Sequence, residues 1–239
     1  AKKQASLNGR RDAEQDFGCN PCSEIILRPY QFCNLSEVVV RASDTQQSLT
    51  EKVRLATILG TFQSTLTDFK YLRKIWKNNT EEERLLGVSL TGIMDNAMMS
   101  GKSEHLGMNI SATLNALKEQ AIETNAAMAE QLGIPQSAAI TCVKPSGTVS
   151  QLVDSASGIH ARHNPYYIRT VRGDNKDPLT EFMKAQGIPN EPDVMKPEST
   201  TVFSFPMKSP HGAVCRTDMG AIEQLELWLT YQRFWCEHK

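Results

Sequence analysis

Three cysteines stand with Asn20 and Glu24 near the start of this 239-residue sequence, in the stretch CNPCSEIILRPYQFCNLSE at residues 19–37. Cysteine sulfur binds metals, forms disulfides and reacts as a nucleophile or redox group, so three kinds of chemistry are open. Cys19 and Cys22 have the CxxC spacing of zinc knuckles and dithiol oxidoreductases, and Cys33 follows Cys22 by eleven residues. The spacing alone does not choose among these chemistries.

Zinc binding and simple packing both remain alternatives for this cluster. A structural zinc site needs a second ligand pair at comparable spacing, whereas the other cysteines, Cys142, Cys215 and Cys236, are dispersed. A thioredoxin-like CxxC begins a helix, but Pro21 and the apolar run EIIL favour a strand. Free cysteine is often buried, which supports a core role, although polar neighbours count against a dry core.

A strand over these residues would gather three useful groups on one face. Side chains alternate along a strand, so Asn20, Cys22 and Glu24 would point the same way. An amide, a thiol and a carboxylate together can bind a polyol, exchange a hydrogen at sulfur and move a proton. The sequence permits this chemistry without requiring it.

A second polar stretch, KPSGTVSQL at residues 144–152, lies between a predicted strand and a predicted helix. Backbone N–H groups, hydroxyls and a glycine at such a junction suit a phosphate, and the helix dipole favours negative charge. The candidate phosphate residues are Pro145, Ser146, Gly147, Thr148, Val149 and Ser150. Alone, the segment is better interpreted as an ordinary capped turn; beside the cysteine strand, phosphate binding becomes the preferred interpretation.

The elements that would position these residues alternate between helices and strands. Ser48 and Glu51 have capping-box spacing ahead of a predicted helix at 49–75, and Thr80 and Glu83 have the same spacing ahead of a buried strand. A third helix at 111–132 ends at Gly133. Strands are predicted at GVSLTGI, SAAITCV, YYIRTVR and TTVFSF, and a last helix begins near Asp218. This order predicts a parallel α/β architecture, with no linker that divides the chain.

Composition excludes several classes of partner. The net charge is −1, with 40% hydrophobic and 22% charged residues, and no run of Lys and Arg suits a nucleic-acid polymer or an anionic membrane. No apolar stretch approaches eighteen residues, and the polar start lacks the apolar region of a signal peptide. We therefore expect a cytoplasmic protein with no membrane or nucleic-acid partner.

The motifs, taken together and in this order, resemble those of ribonucleotide reductases, especially the adenosylcobalamin-dependent (class II) branch. NPCSEI followed by QFCNLSE resembles the active-site strand of that family. Further matches are GVSLTGIMD, VKPSGTVSQL, ASGIHARHNPYYIRTVR and the tryptophan-rich last helix. The spacing from Cys22 to Cys33 resembles the monomeric triphosphate-reducing type rather than the longer spacing of the class I large subunit.

The resemblance implies a role for each residue of the cysteine cluster. Cys22 would become a thiyl radical and remove the 3′ hydrogen of the ribose, and Glu24 would take the 3′-hydroxyl proton. Asn20 would bind and orient the ribose hydroxyls. Cys33 would be one member of the dithiol pair that reduces the 2′ position, and Cys19 would simply pack. The KPSGTVS segment would hold the substrate phosphates.

The resemblance also implies a fold, a cofactor and partners. Residues 1–239 would be a partial catalytic domain, the C-terminal half of a ten-stranded α/β barrel of the kind found in ribonucleotide reductases and glycyl-radical enzymes. The partner of Cys33, the allosteric nucleotide site and the thioredoxin-linked cysteine pair would lie outside the chain, which alone would be inactive.

The implied substrate is a ribonucleoside triphosphate, the cofactor adenosylcobalamin, and the reductant thioredoxin or a similar dithiol, with a nucleotide effector and no metal site in the chain. The alternatives are a class I large subunit, with a diphosphate substrate and a di-iron partner, and a non-catalytic α/β module with a cysteine-zinc site.

Overall fold

The computed structural model describes residues 2–6, 9–102 and 109–238. It divides into two compact units, the first formed by Ala1–Arg162 with Gly212–Lys239 and the second by His163–His211. Among the described residues, no helix is both long enough and apolar enough to cross a membrane. The interpretation of residues 1–239 as one partial catalytic barrel domain stays a prediction.

The described parts of the chain contain fifteen helices and strands and, in addition, one short 3-10 turn at Ile93–Asp95. In chain order they are α1 (Lys2–Ala5), β1 (Gly18–Cys19), β2 (Ile26–Leu27), β3 (Asn34–Val39), α2 (Gln46–Gln63), α3 (Lys74–Glu83), β4 (Leu86–Thr91), α4 (Ile110–Leu132), β5 (Thr141–Cys142), α5 (Val149–Leu152), β6 (Tyr166–Asp174), α6 (Pro178–Ala185), β7 (Asn190–Pro192), β8 (Thr200–Lys208) and α7 (Ala221–Phe234).

The first unit is built around a parallel sheet in the order β3-β4-β5. All six residues of the central strand β4 are buried, as expected for a parallel strand that is covered on both faces. Side chains from the sheet, α2, α4 and α7 form one hydrophobic core, in which Val53, Leu90, Leu114 and Tyr231 are fully buried. The predicted parallel α/β architecture is confirmed for this unit.

The helix predicted at 49–75 is shorter and begins earlier. Thr45, not Ser48, is the N-cap residue of α2: its side chain accepts a hydrogen bond from the backbone N–H of Ser48. The helix ends at Gln63, where the hydroxyls of Ser64 and Thr65 donate to the carbonyls of Thr61 and Phe62. These hydroxyls satisfy carbonyls that a longer helix would otherwise have used.

The second predicted capping box is wrong, because Thr80 and Glu83 lie at the end of α3 rather than at its start. Arg84 ends this helix in the left-handed conformation, with φ of 46°. By contrast, α4 agrees closely with its prediction. Asn109 caps its start, and Gly133, with φ of 64°, ends it.

The second unit is an antiparallel sheet in the order β6-β8-β7, with α6 beside it. The strands predicted at YYIRTVR and TTVFSF form β6 and β8, which pair antiparallel over nine residue pairs. The expectation that these strands join a parallel sheet is therefore wrong. A Cβ on Gly173 would lie 2.4 Å from the hydroxyl of Thr180, so α6 packs closely against β6 through the absence of a side chain there.

Candidate functional site

The cysteine cluster forms a hairpin and not the continuous strand predicted from the sequence. Strands β1 and β2 pair antiparallel, and residues 20–25 form the turn between them. The amide oxygen of Asn20 accepts a hydrogen bond from the backbone N–H of Ile25 at 3.0 Å. Ser23 adopts a left-handed conformation with φ of 60°, which a strand does not allow. Asn20 therefore fixes a turn, and the prediction that Asn20, Cys22 and Glu24 share one face of a strand is wrong.

Cys22 and Glu24 line the same cleft, but they differ in how far they are exposed to solvent. Cys22 is exposed. The Glu24 residue is only 7% exposed, and neither carboxylate oxygen has a hydrogen-bond partner among the described residues. Burying a charged group without a partner is costly, so such a group points to a ligand that the site is built to receive.

The larger of two clefts beside Cys22 has a volume of about 690 Å³. Cys22 and Glu24 both line it, and much of its wall is apolar. The remaining lining residues are Ser23, Val143, Lys144, Pro145, Ile159, His160, Trp228, Leu229, Tyr231, Gln232, Arg233, Cys236 and His238. We call this the thiol cleft. It places a carboxylate, a thiol and an apolar wall around one space.

A second cleft, of about 410 Å³, joins Cys22 to the predicted phosphate segment. Its lining contains Cys22, Glu37, Lys144 and all of Pro145–Val149, together with Leu35 and Ser36. We call this the loop cleft. Cys22, Lys144 and Pro145 line both clefts, so the two predicted parts of the site come together in the structure.

The predicted phosphate segment is a tight loop that leads into the short helix α5. Ser146 has φ of 53°, and its carbonyl accepts a hydrogen bond from the N–H of Ser150. The backbone N–H groups of Gly147, Thr148 and Val149 have no partner in the part of the chain that the structure describes. Ser150 itself is buried and outside the loop cleft. Its hydroxyl lies 2.6 Å from that of Ser157.

A glycine beneath the loop makes its position possible. Gly158 has φ of 50°, and a Cβ there would lie 2.4 Å from the carbonyl oxygen of Lys144. Any side chain at this position would displace the backbone just before the phosphate loop. The segment ASGIHARHNP, which resembles the reductase family, thus packs against the backbone where the loop begins.

Cys33 lies in a more enclosed place, just before β3. It packs against the buried residues Leu85, Ala138 and Ala139. Burial, and then the negative charge of Glu24, raise the pKa of the Cys33 thiol well above its usual range. Cys33 lines neither cleft. The structure therefore places Glu24 within electrostatic reach of Cys33, which is less exposed than Cys22.

The sequence did not single out two further residues at the site, Glu37 and His238. Glu37 accepts a hydrogen bond from the Ser146 hydroxyl; burial raises the pKa of the Glu37 carboxyl, which nearby Lys144 opposes. His238 donates from Nε2 to the carbonyl of Leu86 at 2.6 Å and accepts at Nδ1 from the N–H of Ile26. Burial lowers the pKa of His238 to about 4, so the ring is neutral. Of these residues only Glu37 had a sequence signal, because it is a glutamate inside the apolar strand NLSEVV.

The described residues contain no group of three or more His, Cys, Asp or Glu side chains arranged to hold a metal ion. Cys19 was expected to pack, but it is exposed, and its sulfur lies 3.6 Å from the hydroxyl of Ser23. The cysteine-zinc alternative therefore has no supporting geometry in this part of the chain.

Comparison with known proteins connects this geometry to a family. No family model matches the chain. A crystal structure of a B-12-dependent (class II) ribonucleotide reductase superposes with a TM-score of 0.75 at 25% identity, covering 92% of this chain and 34% of the other. The chain is similar in sequence and fold to the class II ribonucleotide reductases. Their α/β fold, which the sequence predicted as part of a barrel, is confirmed.

Curated relatives of this chain carry a name that agrees with this structural match. The adenosylcobalamin-dependent ribonucleoside-triphosphate reductase of Lactobacillus delbrueckii subsp. bulgaricus is 28% identical over 98% of this chain and 34% of its own length. The enzymes of the same name from Lactobacillus acidophilus and Euglena gracilis are 30% and 27% identical, over 81% and 98% of this chain and 28% and 31% of their own lengths. The chain thus spans about a third of the length of these reductases.

Proposed function

We propose that the protein containing this chain reduces ribonucleoside triphosphates to 2′-deoxyribonucleoside triphosphates by a thiyl-radical mechanism. One observation carries the proposal: the buried carboxylate of Glu24, without a hydrogen-bond partner among the described residues, lines the same cleft as the exposed thiol of Cys22. That thiol also lines the cleft of the phosphate loop. A ribose can lie against Cys22 and Glu24 while its phosphates reach the N–H groups of Gly147, Thr148 and Val149.

The residues divide the reaction between two positions of the ribose. The Cys22 thiyl takes the 3′ hydrogen atom, and Glu24 accepts the proton of the 3′ hydroxyl. The 2′ hydroxyl leaves as water when it receives a proton from the dithiol pair that contains Cys33. The second hydrogen of the dithiol pair and its electrons reduce the 2′ carbon as the disulfide forms. Cys22 then returns the hydrogen atom to the 3′ carbon, and Glu24 returns its proton to the 3′ oxygen.

The environment of Cys33 suits its part in this sequence. Its raised pKa keeps the thiol protonated at neutral pH, so the thiol holds the proton that the departing hydroxyl needs. The second thiol of the pair is proposed to lie outside this chain. Asn20 uses its amide oxygen to hold the turn, so its NH₂ group is the part that can donate to a ribose hydroxyl.

Adenosylcobalamin is the proposed cofactor, and the thiol cleft fits one side of such a large group. The apolar side chains of Trp228 and Leu229 are 47% and 39% exposed, and both line the cleft that Cys22 enters. These two residues would contact the cofactor on the chain's side. When bound, adenosylcobalamin supplies the radical that oxidises the Cys22 thiol.

The remaining partners belong to the same proposal. Thioredoxin or a similar dithiol would restore the oxidised pair, and a nucleotide effector would act through a region outside this chain. We propose a cytoplasmic location, where such dithiols keep thiols reduced. Catalysis would need the full-length protein, so the isolated 239-residue chain would be inactive.

Deoxyribonucleotide formation by the full-length protein tests the proposal. The assay contains adenosylcobalamin, a reducing dithiol and a ribonucleoside triphosphate, and it compares Cys22→Ala with Cys19→Ala, an exposed cysteine in the same hairpin that lines neither cleft. We expect activity that depends on the cofactor, persists in Cys19→Ala and is lost in Cys22→Ala. Activity that survives in Cys22→Ala would overturn the proposal. Activity only with an added radical-generating subunit would assign the protein to class I.

A further inference from the structure

Lys144 occupies the junction of the two clefts. It follows β5, and its backbone N–H donates to the hydroxyl of Ser89 at 2.9 Å, which fixes where its side chain begins. Lys144 is half-buried and lines both the thiol cleft and the loop cleft. It is the one charged residue common to the two linings. Any molecule that extends from Cys22 to the phosphate loop must pass it.

The ammonium group of Lys144 is close to a carboxylate but does not form an ion pair with it. Its charge acts on Glu37, whose pKa it lowers against the effect of burial. Among the described residues, however, the side chain makes no salt bridge or hydrogen bond. A half-buried ammonium in this position can still bind an anion within reach, since it keeps its three hydrogen-bond donors.

Glu37 itself is held by the hydroxyls of Ser146 and Ser89 rather than by Lys144. Its carboxylate accepts a hydrogen bond from the Ser146 hydroxyl, and it lies on the wall of the loop cleft. The two charges in this cleft therefore act on an incoming phosphate with opposite signs: Lys144 attracts it and Glu37 repels it.

We propose that Lys144 binds the phosphate chain of the substrate, and that Glu37 limits the strength of this binding. The inference rests on the proposed function for the identity of the substrate, but it concerns phosphate binding and not reduction. The ammonium would contact phosphate oxygens at the point where the substrate leaves the loop and turns toward Cys22. Glu37 positions the loop through Ser146 and opposes the negative charge of the same phosphates.

Equilibrium binding without cofactor or reductant separates this inference from catalysis. The full-length protein is titrated with inorganic tripolyphosphate and, separately, with a ribonucleoside triphosphate, at two salt concentrations. Lys144→Met should weaken binding of both probes by about tenfold or more, because a charge-assisted hydrogen bond is lost. Lys144→Arg should restore most of the affinity, and Lys70→Met, an exposed lysine that lines neither cleft, serves as the matched control.

Glu37→Gln should change the affinity for phosphate in the opposite direction. The amide keeps an oxygen that can accept from Ser146 but removes the charge, so binding of tripolyphosphate should tighten by about threefold to tenfold at low salt. Circular dichroism and urea unfolding confirm that each variant is folded. Unchanged binding in Lys144→Met, or weakened binding in Glu37→Gln, would overturn the inference. Because no reduction is measured, the inference can fail while the reductase proposal stands, and the reverse.

Discussion

Cys22 and Cys33 lie eleven residues apart in the sequence but in contrasting surroundings. Cys22 is at an exposed turn, and near it a Cβ added to Gly18 would meet nothing within 4 Å. Cys33 faces a crowded position, because a Cβ on Gly87 would lie 2.4 Å from Leu35 and 3.4 Å from the sulfur of Cys33. One thiol is accessible to a bound molecule, and the other is half-buried against the sheet.

The contrast indicates how one strand-and-turn segment can supply two kinds of sulfur chemistry. A thiol that exchanges a hydrogen atom with a substrate must be reached directly, which the turn allows. A thiol that delivers a proton and electrons later must remain protonated until then, which burial ensures by raising the pKa of Cys33. Glu24 connects the two, since it lines the cleft beside Cys22 and its charge also acts on Cys33.

The largest effect is expected at Glu24. In the full-length protein, Glu24→Gln should lower kcat for nucleotide reduction by about 10²- to 10⁴-fold, because the amide cannot accept the 3′-hydroxyl proton. Stability toward urea should stay the same or rise, since the carboxylate has no partner among the described residues. The pKa of Cys33 should fall. Glu198→Gln, at an exposed residue of the second unit, is the control. Unchanged kcat would remove Glu24 from the mechanism.

Alkylation rates compare the two thiols directly. At about pH 8, iodoacetamide should modify Cys22 at least about 100-fold faster than Cys33, because Cys22 is exposed and Cys33 is half-buried with very little thiolate. Peptide mass spectrometry follows each site separately. The difference should disappear in denaturant. Equal rates in the native protein would show that the two environments are not as distinct as the structure indicates.

Acid should weaken the hairpin that carries Cys22. The folded pKa of His238 is about 4, below the unfolded value of about 6.5, so the unfolded chain binds the proton first as pH falls. The contribution of neutral His238 is thus present above about pH 6.5 and lost as pH falls to about 4, a decrease of roughly 2 to 3 kcal/mol in the free energy of unfolding.

Urea unfolding at several pH values measures this decrease, with His238→Gln as the comparison. The variant should be less stable at neutral pH, because Gln cannot reproduce both ring contacts, and it should show a smaller decrease in acid. An equal decrease in both proteins would assign the acid sensitivity to other groups.

Two glycines give the smallest and most local test of the contrast. Gly87→Ala should lower the free energy of unfolding by about 1 to 3 kcal/mol, because the new methyl group overlaps Leu35 and presses on Cys33. Gly18→Ala should change it by less than about 0.5 kcal/mol, since that position is open. Urea midpoints at neutral pH compare the two variants. Equal effects would contradict the packing described beneath Cys33.

Local sequence signals predicted the elements that depend on local interactions. The apolar run before Gly92 became β4, and the helix that ends at Gly133 has the predicted C-terminal glycine in its left-handed conformation. The segment predicted to bind phosphate also lies where a strand meets a helix, as expected. The turn at 20–25 was missed because its cause, an Asn20 amide that replaces a strand hydrogen bond, has no periodicity.

Contacts between distant residues could not be predicted in the same way. Glu37 meets Ser146 across 109 positions, and His238 meets Leu86 across 152. The antiparallel pairing of β6 with β8 depends on how the chain returns and not on the alternation of side chains, which is the same in both kinds of sheet. The sequence therefore singled out Cys22 and Glu24 as candidates, while their neighbours are set by the fold.

A kinetic isotope effect tests the central claim, that the exposed thiol of Cys22 takes the 3′ hydrogen of the substrate. The full-length protein, with adenosylcobalamin and a dithiol, is given a ribonucleoside triphosphate that carries deuterium at the 3′ position. The account predicts slower deoxyribonucleotide formation from the deuterated substrate in the wild type and no product from either substrate in Cys22→Ala. Equal rates for the two substrates, together with product formation by Cys22→Ala, would contradict it.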